Sequence, residues 1–322
     1  MPVKSTGYAK EQNMIRWGLC CIFKNEPITF RRATATFLLK KERKDQLDYL
    51  SKVVLHNAES LYAALVFCKE KGIGDFRINS QILPLKTHPH AGYDLCELPD
   101  YEIIMERFVR CGRFGMEHDI RMGLHPDQFT LLSSPDNRVN EKSHIELMYQ
   151  AEIAVMVNAD VINIHGGGAY GDKKQALKRL RHNIELLDDR VKTRLTLEND
   201  DRVYTPEDLF SVCRDMEIPL VYDVHHHRCL PDGQGIEKTT ELALETWNRE
   251  PLFHISSPLD SWQSKNPRNH ADYIDVRDFP QCWKNLPITV EVEAKAKEIA
   301  VICLMEEHAG NLNPNQIGGP HE

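Results

Sequence analysis

Six times in this 322-residue chain a short apolar or β-branched run closes on a histidine or a carboxylate. In order, the closing residues are His125-Pro126, Asn163-Ile164-His165, Glu198-Asn199-Asp200-Asp201, Asp223-Val224-His225-His226-His227, His254-Ile255-Ser256-Ser257 with His270 beyond, and Glu291-Val292-Glu293. Each alone has an ordinary reading. A histidine after a strand commonly bonds a turn, and an acidic residue there commonly caps the next helix. Six in succession are harder to explain that way. If the runs are neighbouring strands, their last side chains converge on one volume, where unpaired carboxylates would raise one another's pKa. Divalent cations relieve that conflict, and mixed imidazole and carboxylate suits Zn, Mn or Fe better than Ca. Roughly four donors saturate one ion; a larger set implies two or three, with carboxylates such as Glu198 and Glu293 bridging. Clustered ions generate hydroxide near neutral pH and clamp both oxygens of a phosphoryl transfer, so the series points to phosphodiester hydrolysis. An extended backbone would turn alternate members of the triple histidine to opposite faces. On that reading His226, three residues past Asp223, is the ligand, and its neighbours orient ligands or serve structure.

Such donors need strand ends held side by side. The pattern predicts strands at Ile15–Phe23, Asp75–Ser80, Ile120–Pro126, Val161–His165, Leu195–Glu198, Leu220–His225, Leu252–Ser256 and Ile288–Glu293. Between them lie helix-like stretches: Ala58–Lys71, Tyr101–Arg113, His144–Asn158, Lys173–Lys192, one opened by Thr205-Pro206-Glu207-Asp208, Glu237–Trp247 and Ala294–Glu307. Strand–helix alternation means a parallel sheet. No GxGxxG follows the first strand, which favours a closed (β/α)8 TIM barrel over a dinucleotide fold. The expected organisation is one barrel domain over 14–308 between tails at 1–13 and 309–322.

Composition sets outer bounds. With 41% hydrophobic residues the chain can bury a large core without staples, and its nine cysteines form no CxxC pair, as in a reducing, cytoplasmic setting. The polar N-terminus lacks a signal-like apolar stretch, and no run is long enough for a membrane span. A net charge of −8 and a pI near 6.0 lack the basic footprint usual for phosphate binding. Any nucleic-acid contact must therefore rest on local basic groups. Lys86, Arg202 and Arg228 lie beside the proposed site loops; Lys173, Lys174, Lys178, Arg179 and Arg181 follow the fourth strand, where a solvated helix face explains most of them.

Nine segments add specificity: MIRWGLCC (14–21), RINSQILPLKTHP (77–89), HPDQFTLLSSPD (125–136), HGGGAYGDK (165–173), LENDDRVYT (197–205), DVHHHRC (223–229), HISSP (254–258), HADYID (270–275) and EAKAKE (293–298). In this order, over roughly residues 14–305, they resemble the UV-damage endonuclease family. The resemblance implies a barrel related to endonuclease IV and xylose isomerase-like proteins. It implies two or three divalent ions, manganese before zinc or magnesium, and nicking of double-stranded damaged DNA 5′ to a UV photoproduct, leaving a 3′-hydroxyl. The ligands it implies are His125, His165, Glu198, Asp223, His226, His254, His270 and Glu293. Gln128 and Phe129 match a wedge, usually Gln-Tyr, that enters the duplex where damaged bases flip out. A ring can stack in the vacated space and an amide can bond orphaned bases; the alternative for Phe129 is a packing role in its loop. Family members commonly carry Lys, in some carboxylated, two residues before the histidine of HISSP; Leu252 stands there, which weakens the third ion site. The expected protein is a monomeric enzyme with no membrane or protein partner. Competing readings are a metal-dependent sugar isomerase or epimerase, with about four mostly carboxylate ligands, and a catalytically silent DNA- or metal-binding protein.

Overall fold

The structure, a computed structural model, describes residues 15–310. Eight strands run parallel: β1 (Ile15–Cys20), β2 (Asp75–Ile78), β3 (Arg121–Leu124), β4 (Val161–His165), β5 (Leu195–Glu198), β6 (Leu220–Asp223), β7 (Leu252–Ile255) and β8 (Ile288–Val292). They hydrogen-bond in sequence order, and β8 closes on β1 in a register from Ile15–Ile288 to Leu19–Val292. Ten helices accompany them: α1 (Ala35–Leu38), α2 (Arg43–Lys71), α3 (Tyr101–Glu117), α4 (Asn137–Val157), α5 (Lys173–Glu185), α6 (Asp189–Lys192), α7 (Pro206–Met216), α8 (Val224–Cys229), α9 (Ile236–Glu245) and α10 (Glu298–His308). The strands are apolar at most positions because a barrel wrapped by helices buries both faces. Val161, Val221 and Leu252 form a separate small apolar cluster against Trp247. Leu252 and His254 are two apart on β7 and share a face, so on the face that carries His254 the position of Leu252 fills apolar core.

The predicted capping box is present. Thr205 accepts from the Asp208 amide, the Asp208 carboxylate accepts from the Thr205 amide, and Pro206 begins α7. Several boundaries differ from expectation. The strands of β1, β6 and β8 end sooner than predicted, each for a local reason. After β1, Cys21 turns the chain at φ 69°. After β6, Asp223 caps α8 by accepting from the His226 amide. After β8, residues 294–297 are irregular rather than helical, with Lys297 at φ 54°, and α10 starts at Glu298. Buried Glu298 accepts from the amides of Lys24 and Asn25 at 2.8 and 2.7 Å, tying the loop after β1 to this corner. Helix α2 begins at Arg43, fifteen residues before the expected start, with Gln46, Leu50, Val53 and Val54 continuing the buried stripe. The helix expected over Lys173–Lys192 breaks where Asp188 caps α6.

All nine cysteines are free; Cys20, Cys68, Cys111 and Cys213 are buried and Cys96 is exposed. No helix among the described residues is long and apolar enough to cross a membrane. The expected tails lie outside the described residues, apart from Ala309 and Gly310.

Candidate metal centre

Glu198 ends β5 inside the barrel mouth with 1% of its surface exposed. Its oxygens face four imidazoles. His125 Nε2 lies 3.0 Å from Oε2, His165 Nε2 3.9 Å from Oε2, His254 Nδ1 3.0 Å from Oε1 and His226 Nδ1 3.5 Å from Oε1. Asn163 donates to Oε2 at 2.6 Å and is itself fixed by Thr196 at 2.9 Å. Burial alone would push the Glu198 carboxyl up. The charges of His254 and His165, with hydrogen bonds from His125 and His254, hold it well below the usual carboxylate range instead. These contacts follow from the barrel register, which pairs His165 with Glu198, Asp223 with His254, and His254 with Glu291.

Three of the four rings also meet an acceptor other than Glu198. His125 Nδ1 lies 3.1 Å from the Pro126 carbonyl and His226 Nδ1 2.9 Å from the Asn199 carbonyl. A carbonyl only accepts, so both Nδ1 atoms carry hydrogen and each Nε2 is left as the coordinating atom. His254 is reversed: Nε2 lies 2.9 Å from Glu291, and Nδ1 faces Glu198. His165 Nδ1 and Asp223 Oδ2 are buried without a hydrogen-bond partner.

The donor atoms fall into three groupings able to hold a cation: His125–His165–Glu198, Glu198–Asp223–His226 and Asp223–His254–Glu293. Glu198 belongs to two of them. Asp223 is shared by two groupings as well, and Glu293 belongs to one. Asp223 Oδ1 caps α8 while Oδ2 stays free, so capping, the ordinary reading of an acidic residue after a strand, leaves one oxygen available to a cation. Glu293 is held instead by Arg77 Nη1 at 2.7 Å. His270 belongs to no grouping; Nδ1 is 3.8 Å from Glu293, and its ring sits against the Ser256 hydroxyl at 3.3 Å. The buried orphan donors and the mixed imidazole–carboxylate set fit divalent transition ions.

The premise used for the triple histidine does not hold, because residues 224–229 are helical. Successive side chains fan out around the turn. His226 faces Glu198. His225 is buried near the Ser256 carbonyl and the Trp262 ring, and His227 bridges the Tyr222 hydroxyl at 2.7 Å and Asp232 at 2.9 Å. On the loop after β3, Gln128 and Phe129 are exposed, Phe129 by 74%, which rules out core packing for that ring. Arg202 is exposed, with only Asp201 at 3.7 Å. The largely covered Lys86 side chain reaches Asp94 and Glu152, both at 3.4 Å. Arg228 packs over Trp262 and approaches Asp278 at 3.9 Å, its Nη1 without a hydrogen-bond partner. Among the basic residues after β4, Lys173 pairs with Asp208, Arg181 with Asp215, and Arg179 donates to the Ser133 carbonyl. Sequence reasoning passed over Arg77, Asn163 and Asn199. A charged residue inside the apolar run Phe76-Arg77-Ile78 was the available signal for the first.

A barrel whose strand ends gather imidazoles and carboxylates around one glutamate defines a class: (β/α)8 proteins with clustered side chains able to hold a metal ion. The chain belongs to the UV-endonuclease UvdE family, whose profile matches residues 15–319. It is 35% identical over 314 residues to the UV DNA damage endonuclease of Bacillus velezensis, covering 93% of this chain and 94% of that protein. The protein of the same name from Bacillus cereus strain G9842 is 33% identical over 293 residues, covering 88% and 89%. Among solved structures, that of SacUVDE superimposes with a TM-score of 0.81 at 24% identity over 92% of this chain and all of the other. Endonuclease IV from Thermus thermophilus gives 0.58 at 14% identity over 92% and 98%, and a D-psicose 3-epimerase from Clostridium cellulolyticum gives 0.50 at 11% over 93% of each. These structural likenesses speak to the fold.

Burial pulls the rings of His226 and His254 down, but the surrounding carboxylates win. Asp223, Glu198 and Glu293 push His226 up to about 9, and Glu198 with Glu291 raises His254 well above the ordinary imidazole value. Without an ion both rings therefore hold their extra proton at neutral pH, and an entering cation must displace it. Loading should release protons, and each proton released should raise the apparent affinity about tenfold per pH unit below the folded pKa. Manganese titration by calorimetry in buffers of different ionisation enthalpy measures this directly. Binding heats independent of the buffer would contradict the assigned protonation.

Proposed function

We propose that this protein is a metal-dependent DNA-repair endonuclease that nicks double-stranded DNA 5′ to UV photoproducts, leaving a 3′-hydroxyl, with abasic sites as a second class of lesion. The observation that carries the reading is Glu198, a buried carboxylate shared by two cation-sized groupings at the barrel mouth. The names of the relatives agree with it. The barrel likeness to the epimerase, at 11% identity, offers the sugar isomerase reading no comparable support.

Two or three ions, manganese before zinc or magnesium, would be held by His125, His165, Glu198, Asp223, His226, His254 and Glu293, with His270 at the edge. When bound they supply an activated water and charge neutralisation for the phosphate. The rest falls to the chain. Glu198, Glu293 and His226 are the catalytic residues of this reading, fixing the centre through Asn163, Arg77 and the Asn199 carbonyl respectively. Phe129, free of core contacts, can stack where bases leave the duplex, and Gln128 can bond their partners. Arg202 remains available to a phosphate. Lys86 and Arg228 would have to leave or share their present neighbours to reach a phosphate, which makes them the weaker candidates. The reading places a monomer with one catalytic domain over 14–308 in the cytoplasm.

The test is nicking of UV-irradiated against undamaged duplex, after chelation and with manganese restored. Damaged DNA should be cut only with metal. Glu198→Gln keeps the size but loses the charge and should cut slower by at least about 100-fold with the fold intact. Metal-independent cutting, or near-normal Glu198→Gln, would remove the centre from the reaction. Phe129→Ala tests the wedge separately. Losing a stacked base contact is worth roughly 1–3 kcal/mol, so binding should weaken more on a cyclobutane dimer than on an abasic site in the same sequence, while Phe129→Tyr stays active. Equal losses on both lesions would return Phe129 to a general loop role.

A further inference from the structure

Glu291 is 2% exposed and stands two residues before the ligand position Glu293 on the same face of the chain. It is in none of the three donor groupings. Its carboxylate lies 2.9 Å from His254 Nε2 and 3.1 Å from Arg77 Nη1, and Cys20 Sγ is 3.9 Å away. Arg77, itself buried, also reaches Glu293 at 2.7 Å, so one guanidinium sets the spacing of both β8 carboxylates.

The neighbouring rings show what this does. His125 and His226 are each fixed by a backbone carbonyl at Nδ1, which leaves Nε2 for the centre. His254 has its other edge turned inward: Nδ1 is 3.0 Å from Glu198 and 3.6 Å from Glu293. Both groups only accept, so without an ion the ring carries hydrogen on both nitrogens; when it gives one up to a cation on the Glu198 side, the hydrogen that stays is the one on Nε2, and its acceptor is Glu291. A charged acceptor makes a stronger hydrogen bond than a carbonyl and raises the donor strength of the opposite nitrogen.

We propose that Glu291, clamped by Arg77, is a positioning residue that holds His254 as the Nε2–H tautomer and so presents Nδ1 to a divalent cation. The assignment rests on the metal-centre reading above and adds the residue that orients its most buried imidazole. Arg77 thereby serves both β8 carboxylates: it holds Glu293 directly and His254 through Glu291.

Metal uptake by the full chain, without DNA, tests it. Glu291→Met removes the acceptor at similar size and should weaken manganese binding roughly 10–100-fold, read by electron paramagnetic resonance titration. Glu291→Gln keeps an oxygen that can accept the same hydrogen and should lose far less. In histidine-labelled, zinc-loaded wild type, nitrogen spectra should show His254 protonated at Nε2, a signal that Glu291→Met abolishes. Manganese affinity of Glu291→Met equal to wild type would overturn the proposal. If that variant does not fold, wild-type spectra showing zinc-loaded His254 protonated at Nδ1 overturn it equally. Wild type that takes up neither ion fails the metal-centre reading and this proposal with it, whereas wild type that binds and is indifferent to Glu291 fails this proposal alone.

Discussion

Everything at the mouth of this barrel answers to the cost of keeping like charges out of water. Glu198, Asp223 and Glu291 are almost fully buried, and Glu293 lies largely so beside them. Removing one ionised carboxylate from water costs several kcal/mol even after relaxation. The obligatory cation set against them is Arg77; the imidazoles contribute charge only while they hold a second proton. A site of that kind is stable in either of two ways, as imidazolium–carboxylate pairs or as a cation cluster with the rings neutral. In this structure His226 and His254 stand in for the cations, their affinity for protons raised by the same carboxylates a metal would meet.

The scaffold makes this arrangement available without strain in the site itself. Parallel strands in barrel register put His165 beside Glu198 and His254 beside both Asp223 and Glu291. Hydrogen bonds from neighbouring elements then remove the remaining freedom. Asn163 and Thr196 fix Glu198, Asn199 fixes both the backbone of Asp223 and the ring of His226, and the start of α8 uses one Asp223 oxygen and frees the other. Phe129 lies outside this rigid set on the loop after β3, where it is free to meet a partner rather than the core.

Much of this was legible in the sequence because the donors are conspicuous residue types at the ends of short apolar runs. The barrel followed from strand–helix alternation, and the α7 capping box from Thr205-Pro206-Glu207-Asp208. What was lost depended on conformation or on partners distant in sequence. The strand reading to His225 and the extended triple histidine came from Val and His following a strand, yet Asp223 caps a helix over 224–229. The neighbours of Lys86 and Arg228 were not legible either, because Glu152, Trp262 and Asp278 lie far along the chain. Glu291 was visible beside Glu293, but its role depends on Arg77 and His254, which sit on other strands. The long polar start of α2 hid its buried stripe beginning at Gln46.

The central claim is that the groupings sharing Glu198 and Asp223 are one polynuclear cation site. Anomalous diffraction at the manganese edge, from crystals grown with manganese, tests it most directly. The account predicts at least two peaks within coordinating distance of these carboxylates, with one peak between Glu198 and the pair His125 and His165. A single peak elsewhere on the molecule, or no peak at the barrel mouth, would contradict it.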